Sequence, residues 1–225
     1  MKSVIFDLDG TLADTSGDLL AAANVCFRDM GHGDVLHTGR DAGIALRGGR
    51  MMLTQGLKRI VAYDPATVDR YYPMLLEAYS SAIAHHTRLY PGAMESVAAL
   101  VELGFGVGIC TNKPEALAEQ LLQTLGVRDA FGALVGADTL PVRKPDPAPL
   151  RETARRLGGD PAQCLLVGDS DTDRNTARAA GVPSVLVTFG PSGEDMAALQ
   201  PEALLADFTA LPDVALSLLG PARAP

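Results

Sequence analysis

Cysteine is scarce in this chain, and so are long apolar runs. The three cysteines among its 225 residues, Cys26, Cys110 and Cys164, form no C-x-x-C pair, which argues against a zinc site or a thioredoxin-like role. No apolar run approaches the roughly 18 residues that span a bilayer, and Asp7 interrupts the first apolar stretch at once. We therefore expect no membrane partner and no signal peptide, and a reducing cytoplasm as the location.

Positive charge is also in deficit. The chain has 19 lysines and arginines against 27 aspartates and glutamates, a formal net charge of −8. Nucleic acids and anionic membranes need a basic face, so neither is an expected partner. An anionic substrate must instead be held by a few local positive groups. Nothing in the sequence specifies an oligomeric state.

Hydrophobic residues are plentiful, at 47%, and their arrangement predicts the fold class. Short apolar runs without polar alternation, typical of strands buried on both faces, occupy residues 4–8, 106–111, 133–136, 164–168 and 185–188. Helical spacing separates the later runs, over 115–125, 150–157 and 173–180. This alternation predicts an α/β fold: a Rossmann-like parallel sheet with helices on both faces.

One long stretch lacks strands. Between residues 16 and 90 the patterns are helical, over 18–30, 50–61 and 67–84, and Asp64-Pro65 is a typical helix start. We therefore predict an inserted all-helical cap domain at 16–89, with 1–15 and 90–225 forming the α/β core.

Chemically versatile residues follow the predicted strands. Parallel α/β sheets bind ligands at the carboxyl ends of their strands, near the point where the strand order reverses. The residues at these positions or in the nearby loop are Asp7, Asp9, Thr111, Asn112, Lys144, Asp169 and Asp173. We expect them to share one crevice.

The acidic members of this set predict a metal site. Asp7 and Asp9 are two residues apart, so on an extended backbone their side chains point the same way and repel each other unless a cation intervenes. With Asp169 they form a set of hard oxygen ligands, which suits Mg²⁺. Mg²⁺ in such sites commonly takes a substrate phosphate as a further ligand, so the expected partner is a small phosphorylated substrate.

The remaining members suit a phosphate group. The Thr111 hydroxyl, the Asn112 backbone N–H and the Lys144 ammonium are donors for phosphate oxygens. One of the carboxylates is then able to attack phosphorus, and an aspartyl-phosphate divides a difficult displacement into two easier steps.

Four motifs in order resemble those of haloacid dehalogenase-like phosphatases. The motifs are Asp7-Leu8-Asp9-Gly10-Thr11-Leu12, Thr111-Asn112-Lys113, Lys144-Pro145 and Gly168-Asp169-Ser170-Asp171-Thr172-Asp173. Within that family, the helical insert, Tyr90-Pro91-Gly92 and the segment 143–147 look most like those of bacterial phosphoglycolate phosphatases.

The resemblance implies a role for each matched residue. Asp7 is then the nucleophile, and Asp9 is the general acid that protonates the leaving group and later the base that activates water. The Asp7 and Asp169 carboxylates and the Asp9 backbone carbonyl would bind Mg²⁺. Asp173 would act on the metal site indirectly, through a water molecule or by orienting Lys144.

Basic residues offer candidates for binding the rest of the substrate. Arg47 and Arg50 lie in a glycine-flanked loop of the helical insert, where either is suited to a small carboxylate such as that of 2-phosphoglycolate. Lys113, directly after the phosphate-binding pair, is another candidate.

Two alternative functions remain open at this level. A phosphosugar mutase similar to β-phosphoglucomutase would use the same Asp7 and Asp9 but return the phosphoryl group to the sugar. A signalling receiver domain also surrounds a phosphoacceptor aspartate with threonine, lysine and Mg²⁺, although receivers place these groups in another order and have no helical insert.

Overall fold

The chain divides into two compact units, Met1–Ala13 with Leu89–Pro225 and Asp14–Arg88. The structure is a computed structural model, and it describes residues 1–190 and 195–222. None of the helices within those ranges is long and apolar enough to cross a membrane.

The first unit is built on a parallel sheet. Its strands among the described residues are β1 (Ser3–Phe6), β4 (Gly106–Cys110), β5 (Ala133–Val135), β6 (Cys164–Gly168), β7 (Ser184–Val187) and β8 (Ala203–Leu205). The six strands run in the order β5-β4-β1-β6-β7-β8, and every neighbouring pair is parallel. Two short strands, β2 (Ala13–Asp14) and β3 (Arg88–Leu89), pair separately.

Nine helices accompany these strands in the described part of the chain. They are α1 (Ser16–Asp29), α2 (Thr38–Ala45), α3 (Gly49–Arg59), α4 (Pro65–Ser81), α5 (Ala93–Glu102), α6 (Glu115–Thr124), α7 (Ala148–Arg156), α8 (Asp171–Ala180) and α9 (Leu211–Leu219).

The sheet is covered on both faces. Every residue of β1, β4, β5, β6 and β7 is buried, although successive side chains point to opposite faces of a strand. Apolar runs without polar alternation predict strands that are buried on both faces, as these strands are. The predicted Rossmann-like α/β core with a parallel sheet is therefore confirmed.

Local chemistry sets the ends of α8, the helix that carries Asp173. Ser170 caps its start by accepting a hydrogen bond from the Asp173 N–H, and Asp171 and Asp173 place negative charge in the first turn. Gly181 ends the helix in a left-handed conformation with a φ of 76°. The helix start is thus fixed directly after β6, beside the carboxyl end of that strand.

The second unit is helical, with α1 packing against α2, α3 and α4. Gly56 of α3 lies against the ring of Phe27 of α1, where any side chain would collide with it. The expected start of α4 is confirmed: Asp64 accepts hydrogen bonds from the Ala66 and Thr67 N–H groups, and Pro65 occupies the first turn.

Some elements were not predicted. α2 contains Gly39 and Gly43, which weaken a helical pattern, and β8 is a partly exposed edge strand without a β-branched residue. β3 includes Arg88, in a stretch where we expected no strand. It has two residues, too few to show a periodicity.

Candidate active site

The centre of the sheet brings three strand ends together. β1 lies between β4 and β6, with Ile5 opposite Gly108 on one side and Leu166 on the other. The strand order reverses here, because the chain first adds β4 and β5 on one side of β1 and then β6 to β8 on the other. Residues that follow these three strands therefore meet at one edge.

Asp7 continues the sheet by one residue beyond β1. Its N–H donates to the Val167 carbonyl over 2.8 Å, and its carboxylate accepts the Leu8 N–H over 2.7 Å. The chain then turns at Gly10, which has a φ of 81°. The Asp7 carboxylate is thus held at the carboxyl end of the central strand.

Lys144 joins Asp7 to Asp173. Its Nζ lies 3.0 Å from Asp7 Oδ2 and 2.7 Å from Asp173 Oδ1, and the side chain is 1% exposed. Burial by itself lowers the pKa of a lysine, but Asp173 and Asp7 outweigh it and raise the pKa of Lys144 above its ordinary value. The ammonium therefore keeps its charge.

Three carboxylates form a cluster that includes the two partners of this lysine. Oxygens of Asp7, Asp169 and Asp173 all lie within 4.8 Å of one another. The Thr11 hydroxyl donates to Asp169 over 2.9 Å, and the Ser170 hydroxyl donates to Asp173 over 2.6 Å. Such a cluster of hard oxygen donors is chemically suited to a divalent cation.

Burial and mutual repulsion raise the pKa values of two of these carboxyl groups. Burial raises the pKa of Asp7 to about 6; Lys144 opposes the rise, while Asp173 and Asp9 add to it. Burial also raises the pKa of Asp169 well above its ordinary value, with further contributions from Asp173 and Asp7. A cation bound among these oxygens would favour their charged forms, so the residues present fit a metal such as Mg²⁺.

Asp9 forms its own ion pair, with Lys113. The Lys113 Nζ is 2.9 Å from Asp9 Oδ1, and the lysine side chain is 4% exposed. The two lysines of this region thus contact different carboxylates of the first motif, Lys144 on Asp7 and Lys113 on Asp9.

Thr111 and Asn112 follow β4 in this same region. The Thr111 N–H donates to the Val135 carbonyl, and its hydroxyl accepts the Lys113 N–H over 3.1 Å. The Asn112 side-chain amide donates to the Lys144 carbonyl over 3.0 Å. Asn112 therefore fixes the backbone of Lys144, a contact that its predicted use as a backbone donor did not include.

Arg47 and Arg50 belong to the second unit. Both are exposed, and Arg50 pairs with Asp69 of α4 and lies 4.6 Å over the ring centre of Tyr72. Contacts within its own unit thus already engage Arg50.

Two hydroxyl groups that support the carboxylates, those of Thr11 and Ser170, were not predicted to have a role. Ser170 precedes Asp173 by three positions, the spacing of a helix N-cap, and this was the available signal for their contact. The contact of Thr11 with Asp169 joins residues far apart in the sequence, so no local pattern indicates it.

Comparison with known proteins identifies the family. A family profile described as haloacid dehalogenase-like hydrolase matches residues 1–181. A phosphoglycolate phosphatase of Mesorhizobium japonicum is 39% identical over 211 residues, covering 92% of each chain. One of Rhodospirillum rubrum is 40% identical, covering 94% of this chain and 90% of its own.

Solved structures share the fold. The crystal structure of a predicted phosphoglycolate phosphatase from Haemophilus somnus superposes with a TM-score of 0.84 and 26% identity, covering 95% of this chain and 97% of that one. The matching profile describes hydrolases, not receiver domains, and it spans all four motifs. From its sequence, its sheet and its acidic strand ends, this chain is a hydrolase that belongs to the haloacid dehalogenase-like family.

Proposed function

We propose that this hydrolase is a Mg²⁺-dependent phosphatase that converts 2-phosphoglycolate to glycolate and inorganic phosphate. The observation that carries the proposal is the placement of Asp7 at the central strand end, within 3.0 Å of the buried Lys144 and in one cluster with Asp169. The substrate is inferred from the relatives, which are named phosphoglycolate phosphatases at 36–40% identity.

Asp7 is the proposed nucleophile. One of its oxygens forms a bond to phosphorus while the bond from phosphorus to the glycolate oxygen breaks, and Asp9 gives that oxygen its proton. In the second step Asp9 removes a proton from water, the water oxygen bonds to phosphorus, and the bond to Asp7 breaks. Inorganic phosphate leaves, and both aspartates return to their starting states.

Thr111, Asn112 and Lys144 are the proposed phosphate ligands. The Thr111 hydroxyl, the Asn112 backbone N–H and the Lys144 ammonium would bind the oxygens that do not react. Lys144 keeps its charge through Asp173, which supports the assignment of Asp173 to orienting the lysine.

Asp7, Asp169 and the Asp9 backbone carbonyl are the proposed ligands of Mg²⁺. When bound, the ion supplies positive charge that offsets the negative charge of the phosphate and of the carboxylates. Thr11 holds Asp169 in place for this role through its hydroxyl.

The helical region 16–89 is the proposed cap, and it largely coincides with the compact unit Asp14–Arg88. We propose that it limits the access of water during transfer. The assignment of Arg47 or Arg50 to the substrate carboxylate stays a prediction.

A reducing compartment is the proposed environment. All three cysteines are buried free thiols, and burial raises the pKa of the Cys26 thiol to about 11. Free thiols are typical of proteins in a reducing compartment, which supports the expected cytoplasmic location.

Phosphate release from 2-phosphoglycolate tests the proposal. We expect steady turnover with Mg²⁺, loss of turnover with a chelator, and loss by at least about 10³-fold in Asp7→Asn, because the amide is not a nucleophile. Asp171→Asn is the control for a lost carboxylate: Asp171 lies in the fourth motif but is exposed, and this variant should keep near wild-type activity.

Two results would contradict the proposal. Near wild-type phosphate release by Asp7→Asn would show that another group attacks phosphorus. Conversion of glucose 1-phosphate to glucose 6-phosphate at a higher kcat/KM than the hydrolysis of 2-phosphoglycolate would favour the mutase alternative instead.

A further inference from the structure

Lys113 is a buried cation for which the proposed mechanism has no use. Its ammonium lies 2.9 Å from Asp9 Oδ1, and 4% of its side chain is exposed. Lys144 already supplies positive charge to Asp7 and to the phosphate side of the site. A second buried lysine on the other acidic residue of the motif therefore needs a separate explanation.

The backbone of Lys113 is held on both sides of the residue. Its N–H donates to the Thr111 hydroxyl over 3.1 Å, and its carbonyl accepts the Ala137 N–H over 2.9 Å. Both contacts belong to the loops that follow β4 and β5. The ammonium is therefore presented from a fixed point directly beside the proposed phosphate ligand Thr111.

The contact with Asp9 places this charge on the side of the leaving group. In the proposed function Asp9 protonates the leaving oxygen, which requires an approach of about 3 Å. If the Lys113 ammonium and that oxygen contact the same Asp9 oxygen, they lie within about 6 Å of each other, and within about 8 Å if they contact different ones. In 2-phosphoglycolate the carboxylate is attached to the carbon that bears this oxygen, so it falls within reach of the ammonium.

We propose that Lys113 is the specificity-determining residue that binds the carboxylate of a phosphorylated 2-hydroxy acid. This inference rests on the proposed function and deepens it. An ammonium has three donors, so Lys113 is able to contact Asp9 and a substrate carboxylate together. A phosphate ester of a neutral alcohol fills the phosphate site but offers Lys113 no anion.

The test compares two esters that differ in this carboxylate, 2-phosphoglycolate and ethyl phosphate. In Lys113→Met we expect kcat/KM for 2-phosphoglycolate to fall by about 100-fold, mainly through KM, because a hydrogen bond between charged groups is lost. For ethyl phosphate we expect a fall of no more than about 10-fold. The preference for the carboxylate therefore falls at least about 10-fold.

Two further variants distinguish the loss of the charge from a loss of folding. Lys113→Arg keeps a cation and should restore most of the preference, which a loss of folding would not. Lys113→Gln removes the charge but keeps a polar side chain, and it should lose the preference as Lys113→Met does. Thermal unfolding of each variant checks that the fold is intact.

The outcomes separate this inference from the proposed function. An equal fall for both esters, in kcat with KM unchanged, would mean that Lys113 only positions Asp9, and it would overturn the inference. So would a preference that survives in both uncharged variants while the wild type hydrolyses 2-phosphoglycolate. A wild-type protein that hydrolyses neither ester would fail the proposed function itself and the inference with it.

Discussion

Gly168, the last residue of β6, has no room for a side chain because Asp173 occupies that space. A Cβ at position 168 would lie 2.3 Å from the Asp173 Cγ and 2.4 Å from its Cβ, closer than real contacts allow. Asp173 in turn holds Lys144 over 2.7 Å. The absence of a side chain at position 168 thus leaves room for the carboxylate that holds Lys144.

We predict that Gly168→Ala lowers phosphate release by about 100-fold, because a shift of Asp173 moves Lys144 away from Asp7 and misplaces the reacting groups. The measurement is kcat/KM for 2-phosphoglycolate. Gly39→Ala is the matched control: no heavy atom lies within 4 Å of its added Cβ, and activity should not change. Wild-type activity in Gly168→Ala would show that Asp173 is not needed to position Lys144.

At the scale of elements, α2 and α3 are joined by one buried carboxylate. Asp41 accepts the His37 N–H at the start of α2 and two hydrogen bonds from Arg59 at the end of α3, over 2.8 and 2.6 Å. Its hydrogen bonds with Arg59 hold the pKa of Asp41 well below its ordinary value. This contact explains why a segment with two glycines is helical.

We predict that Asp41→Asn lowers the free energy of unfolding by about 2 kcal/mol at pH 7. A fully buried pair would cost more, but Arg59 is 33% exposed. Because the pKa of Asp41 is lowered in the folded state, its stabilisation is complete above the ordinary carboxyl pKa and is lost as the pH falls below it. The difference between wild type and variant should therefore shrink between pH 7 and pH 3.

Urea unfolding at both pH values measures this difference. Asp69→Asn is the control, because it breaks the ion pair of Asp69 with Arg50 in the same unit, in which both side chains are more than half exposed. We expect it to change stability by less than about 1 kcal/mol. A variant at Asp41 no less stable than that control would contradict the structural role of this carboxylate.

Across the whole protein, burying the acidic cluster lowers stability, because burial raises the pKa of Asp7 and of Asp169 even with Lys144 nearby. Asp7 follows β1 and Asp169 follows β6, far apart in the sequence. A cation held by these residues, as proposed, would tie β1 to β6 and offset their repulsion. The proposed metal binding would therefore be coupled to folding of the first unit.

We predict that Mg²⁺ at about 100 times its Kd raises Tm by about 5 °C at pH 7, because ligand binding to the folded state stabilises it by mass action. Calorimetry in the presence of Mg²⁺ or of sodium chloride at equal ionic strength measures the effect. Asp169→Asn should reduce the shift, and Asp171→Asn should keep it. An equal shift in all three proteins would place the ion elsewhere.

The alternation of strands and helices was predictable from the sequence because it depends on local patterns. Buried strands such as β4 and β6 need uninterrupted apolar runs, and α4 needs a cap at Asp64. The elements that were missed depend on distant partners instead. α2 forms around Asp41 because Arg59 reaches it from another helix, and β8 exists because β7 offers an edge to pair with.

The candidate site, like the fold, was predictable from the sequence only in part. Motif order and residue type alone predict that Asp7, Asp9 and Asp169 follow the strands. The contacts between these groups depend on the packed fold: Lys113 pairs with Asp9, Lys144 pairs with Asp7, and the Thr11 hydroxyl donates to Asp169. The reason is that residue type fixes what a side chain is able to bind, while the register of strands far apart in sequence fixes what it meets.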